Sequence, residues 1–80
     1  MKTVTYTIEA RGQLAKLPAK VRAQIEGKVN RYAVTGAGDV KALVGRPGVR
    51  LRSGDYRVIF IEDEAAVRVR AVGDRKLIYD

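Results

Sequence analysis

Alternating apolar and polar residues predict a β-strand at the start of the chain, over about residues 2 to 8. Val4, Tyr6 and Ile8 alternate with threonines and a glutamate, which is the two-residue period of a half-buried strand. Further along, apolar residues recur at steps of three and four, the spacing of one helical face. These residues are Leu14, Leu17, Val21, Ile25, Val29 and Tyr32.

A proline divides this helical stretch into two helices. Pro18 disfavours helical geometry at the residue before it and is well tolerated in a first turn. The sequence therefore predicts a short helix from Ala10 to about Leu17 and a longer one with Pro18 in its first turn. The Gly36-Ala37-Gly38-Asp39 segment ends the second helix, and we expect Asp39 to cap a brief turn through Lys41 to Val44.

The last third of the chain predicts three β-strands in a meander. They cover Val49 to Arg52, Tyr56 to Ile61 and Ala66 to Val72, after a loop at Gly45-Arg46-Pro47-Gly48. The predicted fold class is α+β, with an N-terminal strand, a helical hairpin and an antiparallel β-meander. We expect a single domain over residues 1–80.

The side-chain parity of the meander predicts a row of arginines on one face of the sheet. With two-residue turns at Ser53-Gly54 and Asp63-Glu64, Arg50 faces Arg57 and Arg57 faces Arg70, with Arg52 and Arg68 nearby. Like charges placed opposite one another destabilise a sheet. The row is therefore interpreted as a phosphate-binding surface, although arginines on an ordinary solvated face remain an alternative.

Composition supports a polyanionic partner. Lys and Arg number 16 against nine Asp and Glu, a net charge of +7, and ten of the 16 are Arg. Arg binds phosphate through two parallel hydrogen bonds. The absence of Cys and His excludes disulfides, thiol nucleophiles and most zinc sites. No segment approaches the about 20 apolar residues of a membrane span, and we expect a cytoplasmic protein.

Two segments of the chain carry a resemblance to a known family. They run from Val49 to Phe60, with Arg52-Ser53-Gly54-Asp55-Tyr56-Arg57 at the centre, and from Val67 to Tyr79, with Val72-Gly73-Asp74-Arg75. In order and spacing they resemble the RelE/ParE toxin superfamily, and the RelE-like branch is favoured. The resemblance implies a RelE-like fold and a cognate antitoxin as partner. We expect that antitoxin to lay an acidic segment across the arginines.

The resemblance also implies an activity and the residues that perform it. RelE-like members cut messenger RNA in the ribosomal A site without a metal or other cofactor. By position in the motifs, Arg57 stabilises the phosphate and Arg50 assists it. Arg75 serves as acid or as phosphate clamp, with the clamp favoured because the pKa of Arg exceeds about 12, and Tyr79 acts as base. Further RNA contacts are expected from Arg46, Arg52, Arg68 and Arg70.

Other functions and roles stay open at this stage. ParE-like members of the superfamily poison DNA gyrase and need no catalytic Tyr, and a non-catalytic RNA-binding protein is a third possibility. Tyr56 and Tyr32 are expected to pack in the core. Asp55 is expected to close the hairpin opposite Arg52, with a role as a carboxylate base as its alternative.

Overall fold

The structure is a computed structural model that describes residues 1–74. Seven elements follow one another along the chain. They are β1 (Thr3–Tyr6), α1 (Ile8–Ala15), α2 (Ala19–Thr35), β2 (Val40–Ala42), β3 (Val49–Ser53), β4 (Tyr56–Glu62) and β5 (Ala66–Asp74). Within this part of the chain, neither helix is long and apolar enough to cross a membrane.

Local sequence explains where the helices begin and end. The Thr7 side chain accepts a hydrogen bond of 3.1 Å from the amide of Ala10, so β1 ends early and α1 begins two residues before its predicted start. Pro18 is the residue before α2, which confirms the predicted break. Gly36 ends α2 in the left-handed conformation at φ +76°, where glycine costs least.

The five strands form one mixed sheet in the order β1-β5-β4-β3-β2. β1 runs parallel to β5, and the other neighbours are antiparallel. This arrangement confirms the predicted α+β class and the meander that the first strand joins. Both helices lie on one side of the sheet, because their buried residues and those of the strands share one apolar core. That core contains Ala10, Leu14, Ile25, Val29, Ala33, Leu51, Val58, Phe60, Val67, Val69 and Val72.

The first hairpin has a different register from the predicted one. Arg52 lies opposite Arg57, and Arg50 lies opposite Ile59, so the prediction that Arg50 faces Arg57 and Arg52 faces Asp55 was wrong. The two-residue loop is Gly54-Asp55, closed by Ser53 and Tyr56. Gly54 has φ +60°, a value that the first loop position of a type II′ turn requires and that Ser53 could not adopt cheaply.

The second hairpin also differs, and its strand β5 contains a bulge. The carboxylate of Asp63 accepts hydrogen bonds of 2.8 Å from the amides of Ala65 and Ala66, which lengthens the connection beyond two residues. Phe60 pairs with Val69 and Ile59 with Ala71, so Arg70 is the extra residue of a bulge. Arg57 therefore lies opposite Gly73, and the predicted row of Arg50, Arg57 and Arg70 is wrong.

The segment after Asp39 is a strand instead of the predicted turn. Val40, Lys41 and Ala42 pair with Leu51, Arg50 and Val49, and the amide of Arg52 donates to the carbonyl of Asp39. The backbone groups of this short segment are satisfied by the edge of β3, which local sequence cannot reveal.

A polar network fixes α2 to the sheet. The hydroxyl of Tyr32 donates a 2.6 Å hydrogen bond to Glu62, and Lys2 forms an ion pair with the same carboxylate. This hydrogen bond and burial raise the pKa of Tyr32 to about 12. Burial tends to raise the pKa of Glu62, but the hydrogen bonds from Lys2 and Tyr32 lower it overall. The network joins β1, α2 and β4 at one end of the core.

Candidate nucleic-acid interface

Four cations lie together on the β2, β3 and β4 part of the sheet face that points away from the helices, here called the outer face. Alternation along the strands places them there, because their neighbours Val40, Leu51 and Val58 belong to the core side. These four residues, named the basic cluster, are Lys41 on β2, Arg50 and Arg52 on β3, and Arg57 on β4.

The register brings the basic cluster into two like-charged pairs. Lys41 lies directly opposite Arg50, and Arg52 lies directly opposite Arg57. Residues opposite one another have Cβ atoms about 5 Å apart, and a diagonal neighbour such as Arg57 relative to Arg50 is about 7 Å away. Like charges at these separations repel, so the cluster is a surface on which a bound anion relieves repulsion.

Two of these arginines are held within the surface. The Arg50 side chain is 14% exposed, and the Nε atoms of Arg50 and Arg57 are buried. The Asp39 carboxylate lies 4.0 Å from Nη2 of Arg50 and balances part of its charge. Arg52 is more exposed, with its Nε donating to the Gly54 carbonyl at 3.2 Å. Burial in a lower dielectric strengthens the attraction of these cations for phosphate.

The remaining predicted RNA contacts are not members of the basic cluster, although Arg68 also lies on the outer face, on β5. Arg68 forms a 2.9 Å ion pair with Asp63 at the β4–β5 turn, and this bond with two backbone amides lowers the pKa of Asp63 to about 2. Arg70 is exposed in the bulge, and Arg46 is exposed in the loop between β2 and β3. Arg75 and Tyr79 lie outside the described residues.

Lys41 is a member of the cluster that sequence reasoning missed. It was assigned to a turn, so its side chain had no predicted face. The signal that could have found it is the Gly45 to Gly48 loop, since a glycine-rich loop between two apolar-flanked segments also fits a hairpin.

The tyrosines play the structural roles predicted for them. Tyr32 and Tyr56 both pack against the core, and the Tyr32 ring lies 5.1 Å from that of Phe60. Within residues 1–74, no three carboxylate side chains lie close enough together to hold a metal ion. The side chains of the basic cluster offer guanidinium and ammonium groups, which are donors suited to an anion.

Solved structures resemble this fold closely. The RelBE2 toxin–antitoxin complex of Mycobacterium tuberculosis matches with a TM-score of 0.81 and 25% identity, over 92% of this chain and 98% of that one. The intact RelBE complex of E. coli matches with a TM-score of 0.72 and 26% identity, over 92% and 96%. The isolated RelE toxin of E. coli matches with a TM-score of 0.72 and 25% identity, over 92% and 84%.

No family model matches the sequence, and no curated protein is significantly similar to it. The fold defines an α+β protein whose two helices cover one face of a mixed five-stranded sheet and leave a cationic face opposite. The chain has the RelE-like fold, and its similarity to these solved toxins confirms the resemblance found in its sequence.

Proposed function

We propose that this protein is the toxin of a type II toxin–antitoxin system, and that it cleaves messenger RNA on the ribosome. The observation that carries the proposal is the basic cluster on the outer face, where Arg50 and Arg57 are partly buried beside further cations. Arginines held in place on a surface can bind a phosphodiester through two parallel hydrogen bonds, whereas a diffuse counterion needs no such geometry. Similarity to solved RelE toxins supports the toxin assignment, and the resemblance of the sequence motifs implies the RNA cleavage.

The proposed reaction is attack of the ribose 2′-oxygen on the adjacent phosphorus. A new 2′-oxygen–phosphorus bond forms, the bond to the 5′-oxygen breaks, and the product ends in a cyclic phosphate. Negative charge develops on the phosphoryl oxygens in the transition state. Because the resemblance implies a reaction without a metal, protein cations have to stabilise that charge.

Arg57 and Arg50 take this role in the proposal. Arg57 binds the scissile phosphate, and Arg50, its diagonal neighbour on β3, binds a second phosphoryl oxygen or the same one from the side. Preorganised donors in a partly buried site stabilise developing charge without reorganisation during the reaction. Lys41 and Arg52 add to the local potential.

The motif assigns the remaining steps to Arg75 and Tyr79. The Tyr79 phenolate takes the proton of the 2′-hydroxyl and later returns it to solvent. Arg75 clamps the phosphate while the leaving 5′-oxygen takes up a proton from water. A phenol with a usual pKa near 10 is a weak base at neutral pH. Guanidinium groups close to a phenol favour the phenolate, so in this proposal the arginines that bind the phosphate also activate the base.

A cognate antitoxin is the proposed regulatory partner. An acidic segment laid over the outer face would neutralise the basic cluster and exclude RNA from it. The affinity of such a complex falls as the salt concentration rises. We further propose that residues 1–80 act as one domain and that the protein works in the cytoplasm, where its ribosomal substrate is.

Primer extension on a translated transcript tests the proposed activity. Wild-type protein should produce truncated products at codon positions, and Tyr79→Phe should reduce the cleavage rate by about 100- to 10,000-fold. Lys20→Ala, a charge loss on the exposed side of α2, is the matched control and should cleave normally. Absence of cleavage by the wild type, together with inhibition of DNA gyrase supercoiling, would replace the proposal with the ParE-like alternative.

A further inference from the structure

A second basic site lies beside the outer face, in a groove where the latter half of α2 meets β3. The groove encloses about 290 Å³ between the helix and the segment that leads into β2. Its lining consists of Lys28, Arg31, Ala37, Gly38, Asp39, Leu51 and Arg52. None of the roles that the family motifs assign falls on Lys28 or Arg31.

The groove carries a positive charge that its own carboxylate does not balance. Lys28, Arg31 and Arg52 contribute three positive charges against the single negative charge of Asp39, which leaves +2. All four side chains are exposed, so a ligand in the groove can reach them from solvent. A concave surface with an excess of one charge concentrates ions of the opposite charge.

The floor of the groove is apolar and close to the backbone. Leu51 is 1% exposed and belongs to the core. Gly38 has φ +159°, and a Cβ there would lie 3.7 Å from Leu51 and 3.8 Å from Tyr32. An apolar floor below a cationic rim fits a ligand in which charged groups alternate with less polar ones, such as the phosphates and riboses of a nucleic acid.

Arg52 connects this groove to the outer face. It lines the groove and is also the residue directly opposite Arg57 on β4. The cations therefore form a continuous track from Arg57 through Arg52 to Arg31 and Lys28. The shared residue Arg52 favours an extended polyanion that occupies both surfaces over a separate ligand of the groove.

We propose that the groove binds a neighbouring phosphate of the same messenger strand whose scissile phosphate lies at Arg57. The inference rests on the proposed function, since it identifies the bound polyanion as messenger RNA. Lys28 and Arg31 act as positioning residues that hold the strand in register on the outer face. They strengthen substrate binding and take no part in the chemical step.

Fluorescence anisotropy with a labelled 12-nucleotide 2′-O-methyl RNA tests this inference without requiring cleavage. The Lys28→Ala/Arg31→Ala double variant should bind about 25-fold more weakly at 0.1 M salt, since each lost phosphate contact costs about 5-fold there for single strands. The slope of log K against log salt should fall by about 1.4. Both substitutions place alanine on an exposed helix position, which favours helix formation.

Lys16→Ala/Lys20→Ala is the matched control. It removes the same two charges from exposed positions near the α1–α2 connection and should change the affinity by less than about 3-fold, the effect of net charge alone. Equal losses in the two double variants would overturn the proposal. A groove variant that binds the oligonucleotide normally would also overturn the proposal. If that variant lost binding to ribosomes, the groove would serve ribosomal RNA; if it lost binding to a 12-residue oligoglutamate, the groove would serve an acidic protein.

The outcome is separable from that of the proposed function. If wild-type protein binds the 12-mer through the groove but never cleaves ribosomal messenger RNA, the nuclease proposal fails and the binding site remains. If it cleaves, the groove variant should raise KM by about 25-fold with kcat unchanged. A lower kcat with an unchanged KM would contradict the positioning role.

Discussion

Replacing Tyr32 with Phe tests the network that fixes α2 to the sheet. The substitution keeps the ring that packs against Phe60 and removes the hydroxyl that donates to Glu62 at 2.6 Å. Hydrogen bonds to charged groups contribute about 1.5–3 kcal/mol. The Glu62 side chain is 22% exposed and keeps its ion pair with Lys2, so we expect a loss of about 1–2 kcal/mol in the free energy of unfolding.

Urea denaturation at pH 7 measures this loss, and Tyr6→Phe is the matched control. Tyr6 is also half-buried, and its contact with Arg11 at 5.8 Å is made by the ring, which Phe retains. The control should change the unfolding free energy by less than about 0.5 kcal/mol. Equal effects of the two substitutions would refute the reasoning.

The pH dependence gives a second readout for the same hydroxyl. The pKa of Tyr32 is raised in the folded protein to about 12, so its contribution is fully present below the unfolded value near 10. The contribution is lost as the pH rises from 10 through 12. The stability difference between wild type and Tyr32→Phe should therefore be constant from pH 7 to 9 and shrink above pH 10; a difference that stays constant to pH 12 would contradict the assignment.

Two further predictions concern the turns of the sheet. Gly48→Ala should lower the free energy of unfolding by about 1–3 kcal/mol in urea denaturation, because Gly48 has φ +127° and a Cβ would lie 3.0 Å from Leu43. Gly27→Ala, in open space on α2, is the control and should raise the free energy of unfolding by about 0.5–1 kcal/mol. A Gly48→Ala protein more stable than the Gly27→Ala protein would refute this explanation. Asp63→Asn should lower the urea midpoint at neutral pH. Because the pKa of Asp63 is lowered to about 2, the difference in midpoint between wild type and variant should narrow as the pH falls from 4 towards 2. A difference in midpoint that does not change with pH would exclude the Arg68 ion pair as its source.

The element types were largely predictable because the hydrophobic period of each segment agrees with its tertiary environment. Most of the β-meander alternates between apolar and polar residues, with Ile59 as an exception, and Pro18 and Gly36 mark the start and end of α2. Boundaries were less predictable, as at Thr7, whose side chain caps α1 instead of continuing β1. The short strand β2 was missed because three residues carry too little periodicity to distinguish a strand from a turn.

The sequence predicted which face of the sheet carries the arginines of the candidate site, but not which residues lie opposite them. The loop at Gly54-Asp55 shifts the β3–β4 register by two residues, which preserves which face each side chain occupies. Arg50, Arg52 and Arg57 therefore stay on one face although their partners change. The bulge at Arg70 could not be predicted in this way, because one extra residue moves every later side chain of the strand to the opposite face of the sheet. Its position depends on how β5 meets β4 and β1 together, which the local pattern does not encode.

The central claim is that guanidinium groups on the outer face stabilise the transition state of RNA cleavage. It is tested most directly by single-turnover cleavage of messenger RNA on programmed ribosomes, with Arg57→Ala compared against Lys20→Ala. Loss of a preorganised charge donor should slow the Arg57→Ala reaction about 100- to 1,000-fold, while ribosome binding stays within a few fold and Lys20→Ala cleaves at the wild-type rate. Wild-type cleavage by a folded Arg57→Ala protein would contradict the claim.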